Sequence, residues 1–134
     1  MDDSKLKEIL EETKVIAVVG CSNNVEKEAH KVPAYLQGKG YYIVPVNPNH
    51  PKILGEVSFK NLQEIDTMVD MVLIFRPSED VTEVVKDVLK MKYKPKVVWM
   101  QLGIQNAEAA KAAEQRGIDV VQDKCMRVER ERLL

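Results

Sequence analysis

Cysteine is almost missing from this chain: Cys21 and Cys125 are the only two in 134 residues. A pair so far apart supports neither a disulfide-stapled scaffold nor a C-x-x-C metal motif. Histidine is equally scarce. His30 and His50 lie far in sequence from both cysteines, so no zinc-ligand spacing arises. Charge of one sign is not in excess, since 20 basic against 21 acidic residues leave a net charge of -1. That balance excludes the basic footprint of a nucleic-acid or anionic-membrane binder. No apolar run reaches membrane-spanning length, and the opening Met1-Asp2-Asp3-Ser4-Lys5 is too acidic and polar for a secretory signal. The expectation is one soluble, cytoplasmic domain over residues 1–134, long enough to bury a single core.

Two nucleotide signatures are missing as well. There is no Walker lysine motif, so ATP or GTP hydrolysis lacks its usual apparatus. The G-x-G-x-x-G dinucleotide fingerprint falls on Gly20, Ser22 and Val25, meeting only its first position. The second strand ends in Pro45-Val46-Asn47-Pro48, without the acid that would bind an NAD ribose.

What the chain does have is a regular alternation of short β-branched runs and amphipathic stretches. The run Val15 to Val19 reads as a buried strand ending abruptly at Gly20, followed by the small polar residues Cys21 to Asn24. This is the opening of a nucleotide-binding βαβ unit, in which Ser22, Asn23 and Asn24 would leave backbone N–H groups open to a phosphate. An ordinary tight turn explains the same residues equally well. Four more strands are expected: Tyr41 to Val46, Met68 to Phe75, one within Pro95 to Gln101, and Ile118 to Gln122. Pro45 implies an edge or a bulge in the second of the five. Residues 53–59 are ambiguous, a short extended piece around Gly55, and 61–65 suggest one helical turn.

Helices are expected between the strands. Ser4 would cap the first, with Leu6, Ile9 and Leu10 on its apolar face. A second, Ala29 to Gln37, would carry Pro33 in its first turn. Ser78 or Asp80 would cap a third, Asp80 forming a capping box with Glu83. Asn106 would cap an alanine-rich helix from Ala107 to Gln115, and a charged helix ends the chain. The pattern specifies an α/β fold, a Rossmann-like doubly wound parallel five-stranded sheet. The order chosen is 3-2-1-4-5, with the switch point, where ligands bind, between the first and fourth strands. The facing loops would then be 20–24 and 101–103.

Five segments, Gly20-Cys21-Ser22, Pro45-Val46-Asn47-Pro48, Phe75-Arg76, Val98-Trp99-Met100-Gln101-Leu102-Gly103 and Asp123-Lys124-Cys125, stand in the order and spacing of small coenzyme A-binding proteins. From Val15 to Leu133 the chain resembles these proteins and the N-terminal domain of the succinyl-CoA synthetase α subunit. The resemblance implies a CoA or acyl-CoA site made by Gly20, Cys21, Ser22, Asn23, Lys31, Val46, Asn47, Pro48, Phe75, Arg76, Pro77, Gln101, Leu102 and Gly103. In that scheme Gly20, Ser22 and Asn23 meet phosphates, and either Lys27 or Lys31 is the phosphate cation. Asn47 and Pro48 border the adenosine, Phe75 to Pro77 form another wall, and Gln101 to Gly103 lie near the pantetheine arm.

Plainer roles remain open beside these. Asn47 could only shape an Asn-Pro turn, Arg76 could be a solvated loop charge, and Trp99 reads better as core than as a stacking platform. His30 and His50 read as surface or capping residues. The implied function is a small-molecule binding module holding CoA, without chemistry of its own. The alternatives are an NAD(P)-dependent reductase, or the CoA-binding component of a multi-subunit acyl-CoA ligase or transferase. In the chosen order the cysteines stand two strand spacings apart, about 9–10 Å, beyond the roughly 7 Å a disulfide spans. They should not pair. Cys21, ahead of a helix N-terminus, could carry a lowered pKa, and under oxidising conditions Cys21 or Cys125 could form a mixed disulfide with the CoA thiol, or both thiols could be inert.

Overall fold

The β-branched runs lie at the centre of the molecule and give a parallel sheet. The computed structural model describes residues 1–134, with helix α1 (Asp3–Glu12), strand β1 (Val15–Val19), α2 (Glu28–Gly38) and β2 (Tyr42–Val46) opening the chain. A two-stranded hairpin, β3 (Lys52–Ile53) and β4 (Glu56–Val57), and a 3-10 turn at Leu62–Glu64 follow. Then come β5 (Met71–Ile74), a 3-10 turn at Ser78–Asp80, α3 (Val81–Leu89), β6 (Val97–Met100), α4 (Ala107–Glu114), β7 (Asp119–Val121) and α5 (Met126–Leu133).

The five-stranded sheet runs β2-β1-β5-β6-β7, parallel throughout. Counting only its own strands, the order is 2-1-3-4-5, which corrects the expected 3-2-1-4-5. The third strand passes to the other side of the first. The reason lies in the strands themselves. Pro45 has no N–H for a second neighbour and Tyr42 is exposed, so β2 belongs at an edge. All four residues of Met71–Ile74 are buried, as a central strand requires. The switch point therefore falls between β1 and β5, the first and third strands.

The period of two along each strand divides the core cleanly between the two faces. Ile16, Val18, Met71, Leu73, Val97 and Trp99 pack with α1, α2 and α5. Ala17, Val72, Ile74, Val98 and Met100 pack with α3 and α4. Trp99 is fully buried and donates its Nε1–H to the Lys124 carbonyl at 2.7 Å, which settles it as core.

Helix caps follow the sequence in part. Asn106 Oδ1 accepts the Ala109 N–H at 2.9 Å, as expected. The first helix is capped by Asp2, whose carboxylate accepts the Lys5 N–H at 2.9 Å, and not by Ser4. Asp80 makes no cap bond and no capping box, because its carboxylate pairs with Arg76 at 2.8 Å. Pro33 stands in the middle of α2, not in its first turn, because the helix extends from Glu28 to Gly38. The ambiguous residues 53–59 hold all but the first residue, Lys52, of the β3–β4 hairpin, whose tight turn places both Leu54 (φ 55°) and Gly55 (φ 77°) in the left-handed region.

Candidate functional site

The C-terminal ends of β1, β2, β5 and β6 open onto one side of the sheet. At the β1–β5 switch the backbones crowd together. Gly20 has φ 83°, and a Cβ there would stand 2.6 Å from the Phe75 carbonyl oxygen. Only glycine lets the chain leave β1 at this point. Gly20 N–H donates to the Val46 carbonyl at 3.1 Å, joining the ends of β1 and β2.

The loop after Gly20 is tied down by its own polar groups. Ser22 N–H donates to the Ala29 carbonyl at 3.0 Å, Asn24 N–H to Ser22 Oγ at 3.0 Å, and Glu26 N–H to Asn24 Oδ1 at 3.0 Å. The Ser22 carbonyl faces His30 Nδ1 at 2.8 Å, a capping role for that histidine. The expected open row of N–H groups at Ser22, Asn23 and Asn24 is therefore corrected: those of Ser22 and Asn24 are already spent inside the loop. The orphan donors lie one turn on, because α2 begins at Glu28 and its N-cap residue, Lys27, makes no side-chain cap bond.

Asn47 has a structural task. Its Nδ2 donates to the Cys21 carbonyl at 2.9 Å and its Oδ1 accepts the Asn49 N–H at 2.8 Å. The residue pins the loop after β1 to the turn after β2, and its side-chain oxygen is already engaged in that turn.

Two clefts occupy this end of the sheet. One, of about 550 Å³, is polar and is lined by Gly20, Ser22, Val46, Asn47, Pro48 and Asn61, with three cations, Lys27, Lys60 and Arg76, against one acid, Asp87, as its charged groups. The other, of about 640 Å³, is lined by Pro77, Gln101, Leu102, Ile104, Cys125 and Val128. Lys27, Ala29, Phe75 and Arg76 border both, so the two form one continuous trough. The geometry thus brings together ten of the fourteen residues singled out from sequence: Gly20, Ser22, Val46, Asn47, Pro48, Phe75, Arg76, Pro77, Gln101 and Leu102.

The remaining four stand outside the trough lining. Lys31 and Asn23 are exposed beside it, and of the two candidate cations Lys27 is the one on the wall. Gly103 donates its N–H to Asp123 Oδ1 at 2.6 Å, a turn contact. Cys21 is fully buried. Gln101 is nearly so, and its Oε1 accepts the Met126 N–H at 3.3 Å, substituting for the cap that Cys125 does not provide to α5. Lys60, Asn61, Ile104 and Val128 were not foreseen. The bridge between Val46 and Phe59 carries Lys60 and Asn61 to the trough, and nothing local in the sequence marks that bridge.

The thiols differ sharply. Burial pushes the Cys21 thiol up from 9.0 to about 12, the opposite of an activated cysteine. Both cysteines are free. With β5 and β6 between β1 and β7, three strand spacings separate the strand ends, about 14 Å. Iodoacetamide at neutral pH should modify half-buried Cys125 and spare Cys21 in the folded protein, as read by peptide mass; fast labelling of Cys21 would contradict its burial. Because the folded pKa lies above the unfolded one, the stability contributed by the neutral Cys21 thiol is intact below about pH 9 and is lost as pH rises toward about 12.

ADP-forming acetate–CoA ligase II of Archaeoglobus fulgidus is 28% identical over 117 residues, which are 86% of this chain but 17% of the ligase. The uncharacterized protein YneT of Bacillus subtilis (strain 168) is 38% identical over 125 residues, covering 93% of this chain and 91% of that protein. A solved hypothetical protein from Pyrococcus horikoshii OT3 superimposes with a TM-score of 0.93 at 35% identity, over 99% of this chain and 92% of that one. The family model described as a CoA binding domain matches residues 14–131, so the chain belongs to the CoA binding domain family.

Proposed function

We propose that the protein binds coenzyme A or an acyl-CoA in the trough, as a cytoplasmic binding module formed by residues 1–134. The observation that carries this reading is the continuity of a cationic basin with an apolar arm through Lys27, Ala29, Phe75 and Arg76. CoA has the matching form, an anionic nucleotide head on a long, mostly uncharged arm tipped by a thiol. Lys27, Lys60 and Arg76 meet the phosphates, helped by the uncapped start of α2. The pantetheine arm runs past Phe75, Leu102 and Ile104 toward Cys125. Arg76 is free to turn toward a ligand, since its pair with Asp80 is half-exposed and costs little to open.

A nicotinamide dinucleotide fits less well. Asn47, in the place of the ribose-binding acid, has its Oδ1 committed to Asn49 N–H. Titration calorimetry should give one-to-one heats with CoA and little heat with NAD or NADP. Tighter binding of NADH than of CoA would overturn the assignment. A second reading, a CoA-holding component serving a separate catalytic subunit, is favoured by the similarity to one segment of the much longer ligase. Co-purification of a catalytic partner would select it.

A further inference from the structure

Helix α2 contains a proline at a position where helices lose a hydrogen bond, and the freed acceptor is used in the trough. Pro33 has no N–H to offer the carbonyl four residues back, which is that of Ala29. The Ala29 carbonyl instead accepts the Ser22 N–H at 3.0 Å. From the same helical turn, His30 holds the Ser22 carbonyl at 2.8 Å, its Nδ1–H donating. The segment from Ser22 to Ala29 is thereby closed into a ring, and Ser22, Lys27 and Ala29 of that ring line the polar cleft.

We infer that Pro33 is a positioning residue for ligand binding. By withholding an N–H from its own helix, it reserves the Ala29 carbonyl as the latch that holds the Ser22–Lys27 loop on the trough wall. An alanine at 33 supplies an N–H that the helix itself aims at Ala29, in direct competition with Ser22. The loop then loses its anchor, and Lys27 loses its fixed place over the cleft. The consequence for affinity rests on the trough being the CoA site; the competition for the carbonyl does not.

Pro33→Ala tests the latch. Restored helical bonding and the lost packing of a buried ring act in opposite directions on stability, so the melting temperature should stay within a few degrees of the parent's. Amide exchange followed by NMR should show Ser22 N–H exchanging at least tenfold faster in the variant, with CoA binding five- to tenfold weaker by calorimetry. Val32→Ala is the control: it trims a buried side chain of the same helix without adding an N–H. It should leave Ser22 protection and CoA affinity near the parent's. The inference is overturned if Ser22 exchange is unchanged in Pro33→Ala, or if affinity is unchanged despite faster exchange. It is also overturned if Val32→Ala loosens Ser22 equally. A parent protein that does not bind CoA defeats the site assignment instead, while the Ser22 exchange rates still report on the latch.

Discussion

Gly20→Ala should lower stability by about 2–6 kcal/mol, one of the largest losses expected from adding a single methyl group to this chain. Two costs combine. An L-residue at φ 83° is strained, at about 1–3 kcal/mol. The added Cβ would also stand 2.6 Å from the Phe75 carbonyl oxygen, which is backbone just past the C-terminal end of the neighbouring strand β5 and cannot rotate away. Forcing β1 and β5 apart there adds overpacking of about 1–3 kcal/mol. Thermal denaturation should show a midpoint lower by roughly 10 °C, and Gly20→Val should fare worse. A methyl group obstructing only ligand would weaken CoA binding and leave the midpoint in place. A Gly20→Ala protein melting with the parent would show that the β1–β5 crossing is not as tight as described.

Lys27→Ala combined with Lys60→Ala should weaken CoA binding by at least about a hundredfold, if each ammonium makes one charge-assisted hydrogen bond to phosphate worth about 1.5–3 kcal/mol. Both side chains are exposed, so folding stability should barely change. The salt dependence of the parent's affinity should flatten in the double variant, because the lost contribution is electrostatic and screened. Calorimetry at two ionic strengths reads both effects. Parental affinity in the double variant would move the phosphates away from this basin.

Local chemistry made much of the molecule legible. The β-branched runs, the Asn106 cap and the buried tryptophan each depend on a few neighbours in sequence, and the structure has them as read. Strand order depends on which edges are complete, and Pro45 bears on it: a strand with a missing donor suits an edge, and the outer side of β2 carries only the single Val46–Phe59 bridge. The order 3-2-1-4-5 ignored that constraint. The gathering of Gly20, Asn47 and Phe75 along one trough was equally legible, since a parallel sheet brings its strand ends together. Lys60 was not. It reaches the trough through a hairpin whose turn uses Leu54 in a left-handed conformation, where the sequence displays no second glycine or asparagine. Nor was the closed state of the 22–29 loop, because its bonds depend on where α2 starts, and Lys27 is not a residue that announces a helix cap.

One contact lies far from all of this in sequence. Arg132 grips Asp3 with two hydrogen bonds of 2.8 and 2.9 Å and also holds Glu129, so the last helix is fastened beside the first. The polypeptide is nearly a closed circle, and tension applied at its two ends would act first on this clasp. The charged pairs and the α1–α5 packing would yield in shear before any load reached the hydrogen bonds of the sheet. The strand ends that shape the trough lie deeper along that path of force, sheltered from a pull transmitted through the chain.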